Sequence, residues 1–209
     1  MPSDVSVLLL RTAGTNCDRE LAHAFALAGA AVDAVHVNTL MADPGRLARY
    51  QVLGFPGGFS YGDDIASGKI LANQLIHHLK AALAQFVADG KLVLGVCNGF
   101  QVLVKAGLLP GPLPQLAPDD WHPSTLTYNT CGRFVDAWTR CRADSSRCKW
   151  LPAGSVGRVL ALPVAHGEGR FVTRDATVLG ALQDNDQVVF RYVTAGGVDA
   201  TDLPDNPNG

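Results

Sequence analysis

The spacing of hydrophobic residues alternates between two patterns along the first half of the chain. Four apolar runs are typical of strands buried on both faces, and they lie at residues 5–10, 31–37, 52–55 and 91–96. Three other stretches carry apolar residues at helical spacing, namely 21–28, 66–88 and 98–106. This alternation predicts the α/β class, with a doubly wound, mostly parallel sheet that has helices on both faces.

The second half of the chain follows a different pattern. Residues 110–120 are rich in proline and polar residues, which predicts a surface loop rather than a domain boundary. Residues 124–140 and 157–164 alternate in the manner of antiparallel strands and predict an antiparallel extension of the sheet. A chain of 209 residues is long enough for one well-buried core, so the expected organisation is a single domain over 1–209.

Composition and charge argue against several classes of function for this chain. The formal net charge is −2 and no basic run of five residues occurs, which argues against nucleic acid as a partner. No apolar run reaches membrane-spanning length, and the start lacks the basic and apolar parts of a signal peptide. The five cysteines form no Cys-x-x-Cys pair, so we expect no metal site and no disulfide framework. These features predict a soluble cytoplasmic protein without membrane attachment.

The stretch 93–101 carries the clearest candidate chemistry. An apolar run drops into Gly95-Val96-Cys97-Asn98-Gly99 and then continues with a helical pattern. A side chain at such a turn sits on strained backbone, and glycines two residues away on each side relieve the crowding. The amides at the start of the following helix favour the reactive thiolate form. Cys97 is therefore the candidate nucleophile, and the alternative is a buried structural cysteine at the end of a strand.

Four segments carry a resemblance to a known family. They are Gly95-x-Cys97-x-Gly99-x-Gln101, Gly57-Gly58-Phe59-Ser60-Tyr61-Gly62-Asp63, Gly14-Thr15-Asn16-Cys17-Asp18 and Pro163-Val164-Ala165-His166-Gly167-Glu168-Gly169-Arg170-Phe171. Together they span most of the chain. The sequence resembles the class I, triad-type glutamine amidotransferases and, within them, the glutaminase subunits of phosphoribosylformylglycinamidine synthase.

The resemblance implies a site for glutamine hydrolysis. Thiolate attack on an amide creates an oxyanion that needs amide donors nearby. The resemblance assigns these donors to the backbone N–H groups of Gly58, in the turn Gly57-Gly58-Phe59, and of Asn98. It also puts Gln101 near the bound glutamine. Taken without the motifs, the two glycines are equally compatible with an ordinary tight turn and Gln101 with an exposed helical residue.

The resemblance also implies partners. Glutamine would be hydrolysed to glutamate, and the ammonia would pass to a separate synthetase subunit that converts formylglycinamide ribonucleotide into its amidine with ATP and magnesium. A small accessory subunit is part of the same expectation. The chain itself has neither a Gly-x-x-x-x-Gly-Lys-Ser/Thr loop nor a Gly-x-Gly-x-x-Gly motif, so we expect it to hold no cofactor.

One part of the family pattern is missing. The resembling enzymes take their base and its orienting carboxylate from a C-terminal Pro-His-Pro-Glu, whereas this sequence ends at Asn206-Pro207-Asn208-Gly209. We therefore expect the domain 1–209 to lack its C-terminal strand and His-x-Glu segment. His166 and Glu168 have the same spacing and are the alternative base and orienter. A different triad amidotransferase and a catalytically dead interaction module are the competing functional interpretations.

Overall fold

The chain folds into two compact units that meet in sequence at the proline-rich stretch. The structure is a computed structural model that describes residues 5–113 and 123–208. One unit extends to Leu109 and the other begins at Pro110. Most of the predicted surface loop, at 114–120, lies outside the described residues. The organisation as a single domain stays a prediction.

The first unit contains a parallel sheet of four strands in the order β2-β1-β3-β4. Its strands are β1 (Ser6–Arg11), β2 (Ala31–His36), β3 (Val52–Phe55) and β4 (Leu92–Gly95). Its helices are α1 (Asp18–Leu27), α2 (Val37–Ala42), α3 (Lys69–Gln74), α4 (Lys80–Ala88) and α5 (Asn98–Lys105). None of the described helices is long and apolar enough to cross a bilayer.

Alternate side chains of β1 serve opposite faces of this sheet. Leu8 and Leu10 pack in one core with buried side chains of α2, α3, α4 and α5. Val7 and Leu9 pack in a second core with Phe25 of α1. Both faces of a central strand are thus covered by helices, which is why its sequence reads as an unbroken apolar run. The predicted fold class is confirmed.

The helix predicted over 66–88 is not continuous. Backbone at Gly68 is left-handed, with φ +72°, so regular helix begins only at Lys69. A π-helical turn over Leu75–Leu79 then separates α3 from α4. Leu75 and Leu79 stay fully buried, so the apolar face continues across the break. Hydrophobic spacing did not reveal the π turn because it preserves the buried face while changing the hydrogen-bond pattern.

The second unit is built from antiparallel strands and one helix. Its strands are β5 (Ser124–Thr127), β6 (Val135–Ala143), β7 (Val159–His166), β8 (Arg170–Thr173) and β9 (Phe190–Tyr192), and its helix is α6 (Ala176–Asp184). β5 pairs with β8, and the other three strands form a sheet in the order β7-β6-β9. Antiparallel strands therefore occur where alternation predicted them, but they pair among themselves in separate sheets instead of continuing the parallel one.

Candidate active site

Cys97 sits at the sharp turn between β4 and α5. Its backbone has φ +53° and ψ −115°, a region that L-residues seldom occupy. The residue takes the position before the first helical residue, Asn98, and its side chain is exposed. Strain of this kind persists only where the surrounding structure enforces it, and it concentrates at functional sites. The observed turn is the arrangement that presents a single nucleophile to a substrate.

The two flanking glycines make this turn possible. A Cβ on Gly95 would lie 2.7 Å from the carbonyl oxygen of Gly99 and 2.6 Å from Cδ1 of Leu103. A Cβ on Gly99 would overlap the carbonyl group of Phe55 in β3. Neither position has room for any side chain, because the opposing atoms are mostly backbone. The spacing that suggested an elbow thus has a direct steric cause.

The loop that follows β3 lies beside the elbow. Backbone at Gly58 has φ +135°, and a Cβ there would lie 2.6 Å from the carbonyl oxygen of Gly14. The Phe59 N–H donates to that same oxygen at 2.9 Å, so the loop is held against the segment after β1. The Phe59 side chain is 62% exposed, which leaves an aromatic ring at the surface of the site.

Gly57 is the residue of this loop that lies against Cys97. The position its Cβ would take is 3.4 Å from Cβ of Cys97 and 3.6 Å from both Cβ and Sγ of Cys17. Burial raises the pKa of the Cys17 thiol, and the charges of Glu20 and Cys97 act in the same direction. Sequence reasoning assigned no role to Cys17, although it falls inside one of the segments that carried the family resemblance.

Two backbone N–H groups are available near Cys97. The N–H of Asn98 is the first in α5 and so has no acceptor within the helix. Among residues 5–113 and 123–208, none accepts a hydrogen bond from the N–H of Gly58. Unpaired amides of this kind stabilise a developing oxyanion when they are fixed in place. These are the two donors that the resemblance implied, and their catalytic use stays a prediction.

Gln101 lies one turn into α5 and joins the site through Asn98. Its Oε1 accepts a hydrogen bond of 3.2 Å from Nδ2 of Asn98. The first unit therefore brings together the candidate nucleophile and the residues implied to bind glutamine and its oxyanion: Gly57, Gly58, Phe59, Cys97, Asn98 and Gln101.

His166 and Glu168 belong to the second unit, where a buried asparagine holds the histidine ring. Nδ2 of Asn129 donates to the carbonyl oxygens of Arg133, at 3.1 Å, and of His166, at 2.9 Å. These two acceptors fix the orientation of the amide, so its Oδ1 faces Nδ1 of His166 at 3.0 Å. Nδ1 must then carry the hydrogen, and Nε2 keeps the lone pair.

Burial lowers the pKa of His166, which favours the neutral ring. Its Nε2 is enclosed, and no described residue forms a hydrogen bond with it. A general base needs a free lone pair within reach of the proton that it takes. A base role for His166 therefore requires Nε2 to become exposed. The predicted roles of His166 and Glu168 stay predictions.

Metal binding has no visible basis within residues 5–113 and 123–208. No group of three or more His, Cys, Asp or Glu side chains there is placed to hold an ion. All five cysteines are free thiols.

Comparison with known proteins identifies relatives over almost the whole chain. Residues 4–209 match a family described as "CobB/CobQ-like glutamine amidotransferase domain". A "Phosphoribosylformylglycinamidine synthase subunit PurQ" from Dehalococcoides mccartyi is 43% identical over 208 residues, which cover 99% of this chain and 76% of that protein. A protein of the same name from Methanococcus maripaludis is 41% identical over 97% of this chain and 73% of its own length.

A solved structure shows the same architecture. A chain of "Structure of PurLQS from Thermotoga maritima" superposes with a TM-score of 0.68 and 28% sequence identity. The match covers 93% of this chain and 76% of that chain.

Proposed function

The chain belongs to the CobB/CobQ-like glutamine amidotransferase family, and from that premise we propose that it is the glutaminase subunit of a phosphoribosylformylglycinamidine synthase. Relatives about 40% identical over nearly the whole chain are named as a subunit of that synthase. The reaction is hydrolysis of glutamine to glutamate and ammonia. The ammonia serves the conversion of formylglycinamide ribonucleotide to its amidine in purine biosynthesis.

The observation that carries the proposal is the strained elbow at Cys97 between two glycines that cannot take a side chain. In the proposed mechanism the Cys97 thiolate attacks the carboxamide carbon of glutamine. The N–H groups of Gly58 and Asn98 bind the resulting oxyanion. Collapse of the tetrahedral intermediate, with a proton delivered to the nitrogen, releases ammonia and leaves a glutamyl thioester. Water then attacks the thioester, releases glutamate and restores the thiol.

The wider assembly follows from the same proposal. The acceptor of the ammonia is a separate synthetase subunit, which uses ATP and magnesium, and a small accessory subunit completes the complex. The similarity of this chain to one chain of the Thermotoga maritima PurLQS structure supports this arrangement. We place the complex in the cytoplasm, where free cysteines stay reduced.

The decisive experiment compares two nitrogen sources. The chain is assembled with its synthetase subunit, and amidine formation is followed with glutamine or with ammonium. Cys97→Ser should lower glutamine-dependent synthesis by about a thousandfold or more, while ammonium-dependent synthesis persists because ammonia bypasses the thiol. Cys148→Ser, at a half-buried position outside the site, is the matched control and should behave as wild type.

Chemical labelling provides a second measure. An electrophilic glutamine analogue should alkylate Cys97 and leave its neighbour Cys17 unmodified. Label on Cys17 with Cys97 free, or full glutamine-dependent synthesis by Cys97→Ser, would show that the nucleophile has been misassigned.

A further inference from the structure

The two segments that converge at Cys97 are held together by the side chain of Asn98, which is only 3% exposed. Oδ1 of Asn98 accepts a hydrogen bond of 3.1 Å from the N–H of Ser60. Nδ2 of Asn98 donates to Oδ1 of Asp63 at 3.0 Å. We call these contacts among Ser60, Asp63 and Asn98 the Asn98 bridge. It joins the helix after the nucleophile to the loop that carries Gly58.

Asp63 supports the bridge from a costly backbone conformation. Its φ is +54°, in the left-handed region, which costs energy for every residue except glycine, although less for asparagine and aspartate than for the others. The same Oδ1 also accepts the N–H of Gly68 at 2.9 Å. A carboxylate that receives two N–H donors makes strong hydrogen bonds. These bonds explain why the loop keeps its strained form.

The other edge of the loop is fixed by backbone alone. Phe59 N–H donates to the Gly14 carbonyl and Tyr61 N–H donates to the Ala13 carbonyl, at 2.9 and 2.8 Å. The loop is thus attached to the segment after β1 on one side and to the start of α5 on the other. Since Gly58 and Asn98 lie on different segments, the bridge fixes the separation of their free N–H groups.

We propose that the Asn98 side chain, held by the Asp63 carboxylate, is a positioning residue for glutamine hydrolysis. The inference rests on the proposed function, because it assigns the bridge the task of keeping both amide donors aimed at one oxyanion. The backbone N–H of Asn98 and its side chain then have separate tasks. Hydrogen-bond donors stabilise a transition state best when they are already in place, because no energy is then needed to reorient them during the reaction.

Two substitutions remove the bridge from opposite ends. Asn98→Ala deletes the amide, with its bond to Gln101 as well as the bridge, but keeps the backbone N–H. Asp63→Gly deletes the carboxylate and accepts the positive φ without strain. It leaves the bond of Asn98 to Gln101 in place, so a loss common to both variants belongs to the bridge. In the complex with the synthetase, each should lower kcat/KM for glutamine by roughly 10- to 100-fold, mostly through kcat. Alkylation of Cys97 by the glutamine analogue should slow in parallel, while ammonium-dependent synthesis should stay within about twofold of wild type.

Tyr61→Phe is the matched control. It removes a hydrogen bond of 2.9 Å from the same loop to Gln74 in α3 but leaves the bridge intact. We expect glutamine-dependent synthesis by this variant to match wild type. Equal losses in Tyr61→Phe and Asn98→Ala would show that general loosening of the loop is responsible, and would overturn the proposal.

A carboxylate in place of the Asn98 amide tests the contact itself. Asn98→Asp directs a carboxylate at Asp63 and should impair hydrolysis at least as much as Asn98→Ala. Asn98→Asp keeps an acceptor for the Ser60 N–H but loses the donor to Asp63, so it isolates the contact with the Asp63 carboxylate. Wild-type glutamine kinetics in Asn98→Asp, or in both Asn98→Ala and Asp63→Gly, would refute the bridge while leaving the nucleophile intact. Failure of the function itself would appear instead as an active Cys97→Ser.

Discussion

The two units hold their candidate functional groups in place by different means. In the first unit, backbone geometry fixes Cys97, because Gly95 and Gly99 bring neighbouring segments closer than any side chain would allow. In the second unit, polar side chains provide the constraint, as in the hold of Asn129 on His166. The steric constraint in the first unit depends on glycines that lack a Cβ. A hydrogen-bonded constraint depends instead on a partner residue, which can lie anywhere in the chain.

Asp186 gives a second example from the antiparallel unit. Its Oδ2 accepts hydrogen bonds from the backbone N–H and the hydroxyl of Ser146 and from the N–H of Arg147. These bonds, above all that from the Ser146 hydroxyl, hold the pKa of Asp186 below its usual range. Like Asp63, Asp186 has a positive φ, of +56°. Side-chain bonds thus shape the backbone in both units. Glycines contribute in both as well, since a Cβ on Gly169 would lie 2.5 Å from Nδ1 of His166. Among the described residues, however, only glycines of the first unit are pressed against backbone atoms.

The largest loss of stability is expected from a substitution at Gly99, where two backbone segments are in direct contact. Gly99→Ala places a Cβ against the Phe55 carbonyl, so β3 and α5 must separate. We expect a loss of about 3 kcal/mol or more in the free energy of unfolding, with much slower alkylation of Cys97 by the glutamine analogue. Denaturant titration and mass mapping give the two readings.

The matched control for this prediction is another glycine to alanine change. Gly180 lies inside α6 and has no atom within 4 Å of the position its Cβ would take. Gly180→Ala should therefore increase the free energy of unfolding by about 0.5–1 kcal/mol. Similar stability changes in both variants would break the distinction between a sterically required glycine and a replaceable one.

A smaller loss of stability is expected from removing the hydrogen bonds around His166 in the second unit. Asn129→Ala removes the amide that bonds to Arg133, His166 and Gly169, and leaves their polar groups to find water. The free energy of unfolding should fall by about 2 kcal/mol, measured by denaturant titration. Asn38→Ala, at an exposed position in α2, should change it by no more than about 0.5 kcal/mol. An Asn129→Ala protein as stable as wild type would show that the ring of His166 is held by packing alone.

The smallest effect concerns the response of His166 to pH. Because burial holds its pKa in the folded chain below the ordinary value of 6.5, the unfolded chain binds more protons in that range. The stability contributed by the neutral ring is present above pH 6.5 and is lost as the pH falls through the lower folded value. His166→Asn keeps a donor near the position of Nδ1 but does not titrate. Below pH 6.5 the free energy of unfolding should therefore fall less in this variant than in wild type. Parallel stability profiles between pH 5 and 8 would contradict a lowered pKa.

The same contrast explains which features were predictable from sequence. The strand at 52–55 agrees with β3 residue for residue, and glycine spacing correctly predicted the turn at Cys97, because local sterics and periodicity determine both. The contact of Asn98 with Asp63 joins residues 35 positions apart, and that of Asn129 with His166 joins residues 37 apart. Polar residues at such separations leave no periodic signal. The π turn at Leu75–Leu79 was missed for the opposite reason, since it leaves the apolar pattern unchanged.

The crowding at Gly99 has a consequence for how this gene can vary. Every amino acid other than glycine has a Cβ, so each missense change of that codon places an atom against the Phe55 carbonyl, whatever its polarity or size. We therefore expect no amino acid to replace glycine at this codon, and a mutational scan should find every substitution there to be damaging. Cys97, by contrast, is proposed to act through its sulfur, so we expect a serine at that codon to allow folding and to fail when glutamine must be cleaved. Under the proposed function, selection at two residues that are two positions apart acts on shape at one and on reactivity at the other.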